Sequence, residues 1–127
     1  MKKRNRFTRG KFRTRRPPGT MNKTEQAYSE VLNEQQRTGA ILEWRYEPLT
    51  FRLADNTRYT PDFIVQYPDG AMEVHEVKAC KRTGGFLAED DAMVKIKVAA
   101  EMYPWFRWFL CGKLPKCAGG DWKFREI

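Results

Sequence analysis

The segment 59–80 constrains the fold of this chain more than any other stretch. Two β-prone runs flank Pro68-Asp69-Gly70, which favours a tight turn, so the sequence predicts an antiparallel hairpin. Asp62 lies near the start of the first strand, and Glu76 and Lys78 lie on the second. Because side chains alternate across a strand, Glu76 and Lys78 share one face, behind apolar residues. Ionic groups in that position are costly unless a cation or an anionic substrate uses them.

The same alternation places His75, the single histidine, on the opposite face, together with Glu73. We therefore expect a structural role for His75 and do not expect it to act as a general base. A zinc site could be imagined from His75 and the three cysteines, but their spacing does not match a standard zinc-binding pattern. Buried or free thiols are the expectation for Cys80, Cys111 and Cys117.

The positive charge of the chain is concentrated at its N-terminus. Residues 1–20 carry nine of the 24 basic residues and no acidic one, whereas 21–127 has a net charge of −1. This segment has few large apolar residues and ends in Pro17-Pro18-Gly19, so it predicts a flexible basic arm that contacts nucleic-acid phosphates. The alternative is a solubilising leader. The proposed phosphate-binding residues of the arm are Lys2, Lys3, Arg4, Arg6, Arg9, Lys11, Arg13, Arg15 and Arg16.

The remaining segment, 21–127, has the length of one domain with a modest core. No apolar run has membrane-spanning length, and no apolar signal-peptide region follows the basic start. The three cysteines, an odd number, do not indicate a disulfide framework. We expect a soluble, cytoplasmic protein with no membrane association.

The first half of this domain predicts a helix followed by strands. Residues 22–38 read as a helix because Asn22 can cap it, Glu25 completes a capping box and Gly39 ends it. Glu25 falls on the same helix face as apolar residues. Two β-prone runs follow at 41–46 and 49–53, and a turn at 54–57 leads to the hairpin.

The second half predicts a mobile basic loop at 81–85, a helix at 89–103 and two final strands at 105–111 and 122–127. Lys95 and Lys97 flank the apolar face of the second helix on opposite sides. The aromatic residues in the first of the two final strands are expected to be core residues and not a base-stacking platform. They are Trp105, Phe106, Trp108 and Phe109.

The charged residues of the hairpin fit phosphodiester hydrolysis. Asp62, Glu76 and the backbone carbonyl of Val77 offer hard oxygen ligands of the kind that Mg²⁺ or Mn²⁺ prefers. A lysine beside such a metal can orient the attacking water or stabilise charge on the phosphate, which is the expected role of Lys78. Glu25 would add a further carboxylate, enough for a second metal ion.

These residues resemble the signature of the PD-(D/E)xK nuclease superfamily. Pro61-Asp62 is followed, after a gap of thirteen residues, by Glu76-Val77-Lys78, and the element order is similar to the αβββαβ core of that superfamily. The resemblance covers about 22–127. Within the superfamily, Asn-Lys-Thr-Glu at 22–25, Tyr-Thr-Pro-Asp-Phe at 59–63 and the second helix resemble small phage-encoded nucleases related to Holliday-junction resolvases.

The resemblance implies an α/β restriction-endonuclease-like fold, with a central mixed sheet flanked by helices, and a role for individual residues. Asp62 and Glu76 would bind the metal, Lys78 would be the catalytic lysine and Glu25 would complete the site. A polar residue of the second helix often joins such sites, and Lys95 is preferred to Lys97. Three basic residues near the hairpin are candidate phosphate contacts or ordinary surface charges: Arg58, Lys81 and Arg82.

The resulting hypothesis is a Mg²⁺-dependent DNA endonuclease that acts on branched DNA without a small-molecule cofactor. Since one short chain with one site cannot easily cut two strands, a homodimer is expected. One alternative is a nuclease that nicks or trims ordinary duplex DNA. Another is a non-catalytic nucleic-acid-binding protein whose acidic residues are structural.

Overall fold

The computed structural model describes residues 17, 19–88 and 90–127, so the nine basic residues of the predicted arm lie outside the described residues. Two α-helices, one short 3-10 helix and seven strands follow one another along the described chain. In order they are α1 (Lys23–Thr38), β1 (Glu43–Tyr46), β2 (Phe51–Ala54), β3 (Thr57–Tyr59), β4 (Phe63–Gln66), β5 (Met72–Ala79), α2 (Asp90–Met102), β6 (Arg107–Lys113), a short 3-10 helix (Lys116–Ala118) and β7 (Trp122–Glu126).

Five of the strands form a mixed sheet in the order β1-β4-β5-β6-β7. β5 and β6 are parallel, and the other neighbouring pairs are antiparallel. The helix α2 makes the crossover that a parallel pair requires. The series α1-β1-β4-β5-α2-β6 reproduces the predicted αβββαβ core, and β7 extends it. The predicted restriction-endonuclease-like fold is confirmed.

Local sequence signals account for the limits of α1. The Asn22 side chain accepts a hydrogen bond from the Glu25 backbone N–H at 2.8 Å, and the Glu25 carboxylate accepts one from the Asn22 N–H at 2.9 Å. This capping box satisfies N–H groups that the first helical turn leaves unpaired. The helix ends at Gly39, whose φ of 82° lies in the left-handed region that glycine adopts without strain.

Each face of the sheet carries its own apolar core. On one face, α2 and the small β2–β3 sheet cover Ile64, Val74, Trp108 and Leu110. On the other face, α1 packs over a core that contains Phe63, Val65, Val77 and Cys111 together with Tyr28 and Leu32 of the helix. Successive residues of β4, β5 and β6 therefore alternate between the α2 face and the α1 face.

The predicted hairpin is present, but its first strand is shorter than expected. The register pairs Phe63 with His75 and Gln66 with Met72. The run that begins at Tyr59 is interrupted at Pro61-Asp62, so that Tyr59 belongs to β3, which pairs with β2 in a separate two-stranded sheet. A proline cannot donate a ladder hydrogen bond, which explains the interruption.

The final aromatic cluster is only partly a core element. Trp108 is buried, and Phe106 and Phe109 pack against the two cores, as predicted. Trp105 was expected to be a core residue, but its side chain is 79% exposed, so this expectation is wrong. It lies in the turn before β6 begins at Arg107, where no sheet face covers it.

The cysteine prediction is confirmed: Cys80, Cys111 and Cys117 are free thiols, and the first two are buried. The loop expected at 81–85 is a turn closed by backbone hydrogen bonds between Lys81 and both Gly84 and Gly85. In the described part of the chain, neither helix combines the length and the apolar character needed to cross a membrane.

Candidate active site

The hairpin register brings Asp62 and Glu76 together. Because Phe63 pairs with His75, the next pair outward is Asp62 opposite Glu76, and directly opposed residues of an antiparallel pair point to the same face. Asp62 Oδ2 accepts a hydrogen bond of 2.8 Å from the backbone N–H of Val77. Both carboxylates are buried, with exposed fractions of 8% and 7%.

The backbone of Asp62 is held from its other side by β1. The Glu47 N–H, just past the end of β1, donates to the Asp62 carbonyl at 2.8 Å. Glu47 adopts a φ of 47°, a left-handed conformation that is strained for a residue with a side chain. Asp62 is thus fixed between the edge strand β1 and the central strand β5.

Two further side chains contact the Glu76 carboxylate. Lys78, two residues along β5, places its Nζ 3.3 Å from Glu76 Oε1. The Tyr59 hydroxyl donates a hydrogen bond of 2.6 Å to Glu76 Oε2. The predicted common face of Glu76 and Lys78 is therefore present in the structure, and β3 adds a phenol that the sequence did not indicate.

The burial and proximity of the two carboxylates change their pKa values. Burial, followed by the negative charge of Glu76, raises the pKa of Asp62 from 3.8 to about 8, although the Val77 N–H and Lys78 act in the opposite direction. Burial also raises the pKa of Glu76, while the hydrogen bond from Tyr59 and the charge of Lys78 lower it. Without a bound cation, the state in which the two carboxylates share one proton is therefore favoured over the state in which both are ionised.

Glu25 lies near this pair but is engaged by other groups. Its carboxylate accepts hydrogen bonds from the backbone and side-chain amides of Asn22, and from the Tyr46 hydroxyl, each at 2.9 Å. Its negative charge adds, after burial and Glu76, to the rise in the pKa of Asp62. The structure thus places Glu25 within electrostatic reach of Asp62 while its oxygens serve the capping box.

The donor chemistry of the pair fits a hard divalent cation. Asp62 and Glu76 offer carboxylate oxygens, and their mutual repulsion in a buried position is what a bound cation relieves. Within 17, 19–88 and 90–127, however, no three His, Cys, Asp or Glu side chains are grouped closely enough to hold a metal ion by themselves. The remaining positions would therefore be filled by the Val77 carbonyl, water or substrate, as is usual for Mg²⁺.

The other predicted site residues are less closely integrated. Lys95 is half-buried on α2 and Lys97 is exposed, and neither makes an ion pair with the described residues. Arg58 is exposed on β3, and Lys81 and Arg82 are exposed on the turn that follows β5. These three residues lie near the site along the chain and are accessible to a substrate, but their roles as phosphate contacts stay predictions.

Two tyrosines that the sequence reading assigned no role are in contact with the candidate ligands. Tyr59 donates to Glu76, and Tyr46 donates to Glu25. Burial, followed by the neighbouring carboxylates, raises the pKa of both phenols, so they remain protonated donors. Tyr59 lies next to the Pro-Asp signature, but its contact depends on the separate β2–β3 sheet, which no local pattern reveals.

On the α1 face, a second buried carboxylate has a full set of partners. Glu73 Oε2 accepts hydrogen bonds from Tyr67 at 2.7 Å and from His75 Nε2 at 2.8 Å, and Arg107 lies 3.6 Å from Oε1. The other ring nitrogen of His75 is 2.6 Å from the Tyr28 hydroxyl. His75 therefore lies on the face opposite Glu76, as predicted, in a fully hydrogen-bonded network.

Comparison with known proteins places this geometry in a family. The family model described as TnsA-like endonuclease N terminal matches residues 38–105, more than half of the chain. The match contains Asp62, Glu76 and Lys78 and begins after Glu25. Neither a search of curated proteins nor a search of solved structures gave a match.

Proposed function

Because the chain belongs to the TnsA-like endonuclease N-terminal family, part of the restriction-endonuclease-like PD-(D/E)xK superfamily, we propose that it is a metal-dependent endonuclease that hydrolyses DNA phosphodiester bonds. The family itself supports a nuclease function in general terms. The metal, the kind of DNA and the roles of individual residues are the parts that the proposal adds.

The observation that carries the proposal is the buried pair Asp62 and Glu76. Two carboxylates share one face at the interrupted start of the hairpin, and among the described residues Lys78 is the lysine that contacts Glu76. Such a pair is destabilising unless it binds a cation. Together with Lys78, it would supply metal ligands and a cationic side chain, the groups used in metal-dependent hydrolysis of phosphodiesters. Among the described residues, the other face of the sheet, where Glu73 is fully paired, offers no comparable arrangement.

In the proposed mechanism, Asp62, Glu76 and the Val77 carbonyl would hold Mg²⁺, for which Mn²⁺ could substitute. When bound, the ion would neutralise charge on the scissile phosphate and lower the pKa of a water molecule. Lys78 would orient the attacking water or stabilise the charge that develops on the phosphate. Tyr59 keeps the Glu76 carboxylate oriented through its 2.6 Å hydrogen bond, and Glu25 supplies additional negative charge near Asp62.

The proposed substrate is branched DNA, on the basis of the resemblance to small resolvase-related nucleases. The basic arm would add phosphate contacts that are independent of sequence and sensitive to salt. Since the described part of the chain carries a single site of this kind, cutting both strands of a junction calls for two copies, which we propose to form a homodimer. Lys95, half-buried on the helix that covers the site face, is proposed to contact the substrate.

A cleavage assay with and without Mg²⁺ tests this proposal. The purified chain should cut labelled four-way junctions faster than flaps or linear duplexes at matched salt, and EDTA should stop cleavage. Asp62→Asn should lower the cleavage rate by about a thousandfold or more. A neutral amide is a poor ligand for Mg²⁺ and does not compensate the positive charge of the ion. Asp55→Asn, at an exposed turn between β2 and β3, removes the same charge elsewhere and should cleave normally.

The outcomes separate the alternatives. Equal cleavage of junctions and linear duplexes would point to a nicking or trimming nuclease and remove the preference for branched DNA. Binding without cleavage in Mg²⁺ or Mn²⁺ would indicate a DNA-binding protein with structural carboxylates. Full activity of the Asp62→Asn variant would exclude the proposed site.

A further inference from the structure

The small sheet of β2 and β3 carries two arginines directly opposite each other. Arg52 of β2 pairs with Arg58 of β3. The neighbouring pair, Phe51 and Tyr59, belongs to the core on the α2 face. Because paired residues share a face and successive residues alternate, both arginine side chains lie on the outer face of this sheet, and both residues are exposed. The outer face therefore presents two guanidinium groups side by side.

This pair of like charges has no compensation within the described part of the chain. Opposed side chains have Cβ atoms about 4.5–5.5 Å apart, so the two guanidinium groups repel each other. Neither arginine forms an ion pair with a described residue, including Asp55 in the turn between the two strands. A sheet of two short strands has little stability of its own. A destabilising pair in such an element indicates that an anionic ligand uses it.

Contacts on the inner side fix the position of the pair. The Phe51 ring packs against the rings of Tyr103 and Trp108, with centroids 4.8 Å and 5.1 Å away. The Tyr103 hydroxyl donates a hydrogen bond of 2.7 Å to the Arg52 carbonyl. The arginines therefore project from a sheet that is held against the core, so that binding a ligand would not require the ordering of a loop.

An exposed tryptophan adjoins this surface. Trp105 is 79% exposed, and its ring lies 6.2 Å from the ring of Tyr103, the residue that binds the Arg52 carbonyl. The Tyr103 side chain thus joins the indole to the backbone of β2. A cationic pair and an accessible aromatic ring are therefore neighbours on the side of the domain that α2 covers.

These groups match the two parts of an unpaired nucleic-acid strand. A guanidinium binds phosphate oxygens through its parallel N–H donors, and two guanidinium groups this close can bind the same phosphate. An exposed indole can stack on a base, but only where that base is not already stacked between its neighbours. Duplex DNA offers its phosphates and hides the faces of its bases. A single strand, or the unpaired bases at a branch, satisfies both kinds of group.

Resting on the proposed nuclease function, we infer that this surface binds an unpaired strand of the DNA substrate. Arg52 and Arg58 hold one phosphate, and Trp105 stacks on an adjacent base. Arg58 lies four residues before Asp62, so their Cα atoms are at most about 14 Å apart. This span corresponds to about four nucleotides of a DNA strand, at about 3.4 Å each. One substrate can therefore contact the surface and the candidate site, and the surface positions it without taking part in the chemical step.

The test measures binding in EDTA, where cleavage does not interfere, to a labelled single strand and a duplex of the same length. Arg52→Gln and Arg58→Gln should each weaken both complexes by about five- to tenfold at low salt, and reduce the salt slope for the single strand by about 0.7. Because one phosphate joins the two arginines, the double variant should lose little more than either single one. Trp105→Ala should weaken single-strand binding by about fivefold or more and duplex binding by less than about twofold.

The strand β7 supplies matched controls. Arg125 is an exposed arginine without an ion pair to a described residue, and Phe124 beside it is an exposed aromatic residue. Arg125→Gln and Phe124→Ala remove the same groups elsewhere and should leave single-strand affinity within about twofold. Arg58→Gln should also raise the melting temperature by about 1–3 °C, because it removes the repulsion within the β2–β3 sheet. A loss of affinity together with a gain in stability separates a binding role from a structural one.

Three outcomes would overturn the inference. They are unchanged affinity in Arg52→Gln or Arg58→Gln, an equal loss in Arg125→Gln, and a lower melting temperature of Arg58→Gln. Equal effects of Trp105→Ala on the single strand and the duplex would exclude the unpaired strand as the occupant. Because the readout is binding without metal, the surface can fail while Mg²⁺-dependent cleavage persists. It stands, and the nuclease function fails, if the chain binds a single strand through these residues but cuts no DNA.

Discussion

On β5, Glu73 and Glu76 lie three residues apart and are buried to a similar extent, but they lie on opposite faces of the sheet. Burial alone would raise the pKa of Glu73, yet the hydrogen bonds from His75 and Tyr67 and the charge of Arg107 bring that pKa below its usual value. The pKa of Glu76 is raised by its burial beside Asp62. The Glu73 carboxylate therefore has enough donors around it to compensate its charge. The Glu76 carboxylate and Asp62 together carry more negative charge than the neighbouring donors compensate.

This difference separates a structural ionic group from the one that we propose to be functional. A buried charge with a complete set of partners stabilises one conformation and has no capacity left for a ligand. A buried pair of like charges is destabilising by itself and is retained where a cation uses it. Burial and residue type do not distinguish the two faces of this sheet, but the balance of donors and acceptors does.

Truncating each glutamate gives the largest expected contrast. Glu76→Ala should reduce Mg²⁺-dependent cleavage by about a thousandfold or more and leave the fold intact, because it removes a metal ligand. Glu73→Ala should lower the free energy of unfolding by about 2–4 kcal/mol, because it leaves the buried His75 ring and the half-buried Tyr67 hydroxyl without their acceptor. Denaturant unfolding and single-turnover cleavage measure the two effects.

The folded fraction of Glu73→Ala should cleave DNA within a few-fold of wild type. If the truncated protein does not fold, Glu73→Gln, which keeps an acceptor oxygen, provides the activity measurement. Loss of cleavage in folded Glu73→Gln, or normal cleavage in Glu76→Ala, would reverse the assignment of the two faces.

The two tyrosines that donate to these glutamates allow a finer comparison. Tyr59→Phe should weaken the apparent affinity for Mg²⁺ by about tenfold or more, because Glu76 loses the hydrogen bond that orients it. Tyr67→Phe removes the equivalent bond to Glu73 and should cost about 1 kcal/mol of stability without changing the Mg²⁺ dependence. Titrating Mg²⁺ in the cleavage assay distinguishes the two, and equal Mg²⁺ curves for both variants would show that Tyr59 does not orient a ligand.

The last expected effect is a pH dependence of the stability of the metal-free protein. Folding raises the pKa of Asp62 from 3.8 to about 8, so the folded state holds a proton that the unfolded chain releases, and this contribution to stability is lost as pH rises from about 4 to 8. Relative to wild type, Asp62→Asn should gain about 1–2 kcal/mol between pH 5 and pH 8, since relaxation around buried charges moderates the effect. Parallel stability profiles of the two proteins in EDTA would contradict the raised pKa.

Local signals predicted much of this architecture. The capping box of Asn22 and Glu25 and the Pro68-Asp69-Gly70 turn act over a few residues, so α1 and the β4–β5 hairpin could be placed from the sequence. Alternation along β5 also predicted the common face of Glu76 and Lys78. The position of Asp62 beside them was a hypothesis supported by the resemblance, and the register that produces it is seen only in the structure.

Contacts between distant segments could not be predicted in the same way. The Tyr59 bond to Glu76 requires β2 and β3 to form a sheet of their own over the α2 face. The β5–β6 register does not follow from a local pattern either, because the two parallel strands are joined by a crossover through α2. The exposure of Trp105 was missed because strand propensity does not fix where β6 begins.

The hydrogen bond from Glu47 to the Asp62 carbonyl links the candidate ligand to an edge strand only four residues long. Edge strands open more readily than the interior of a sheet, so fraying of β1 would remove one of the two supports of Asp62 and leave only its bond to Val77. The lifetime of the assembled centre would then be set by a local opening equilibrium, well below the temperature at which the domain melts. Molecules in which β1 has frayed would still appear folded in most spectroscopic measurements but would not cleave DNA.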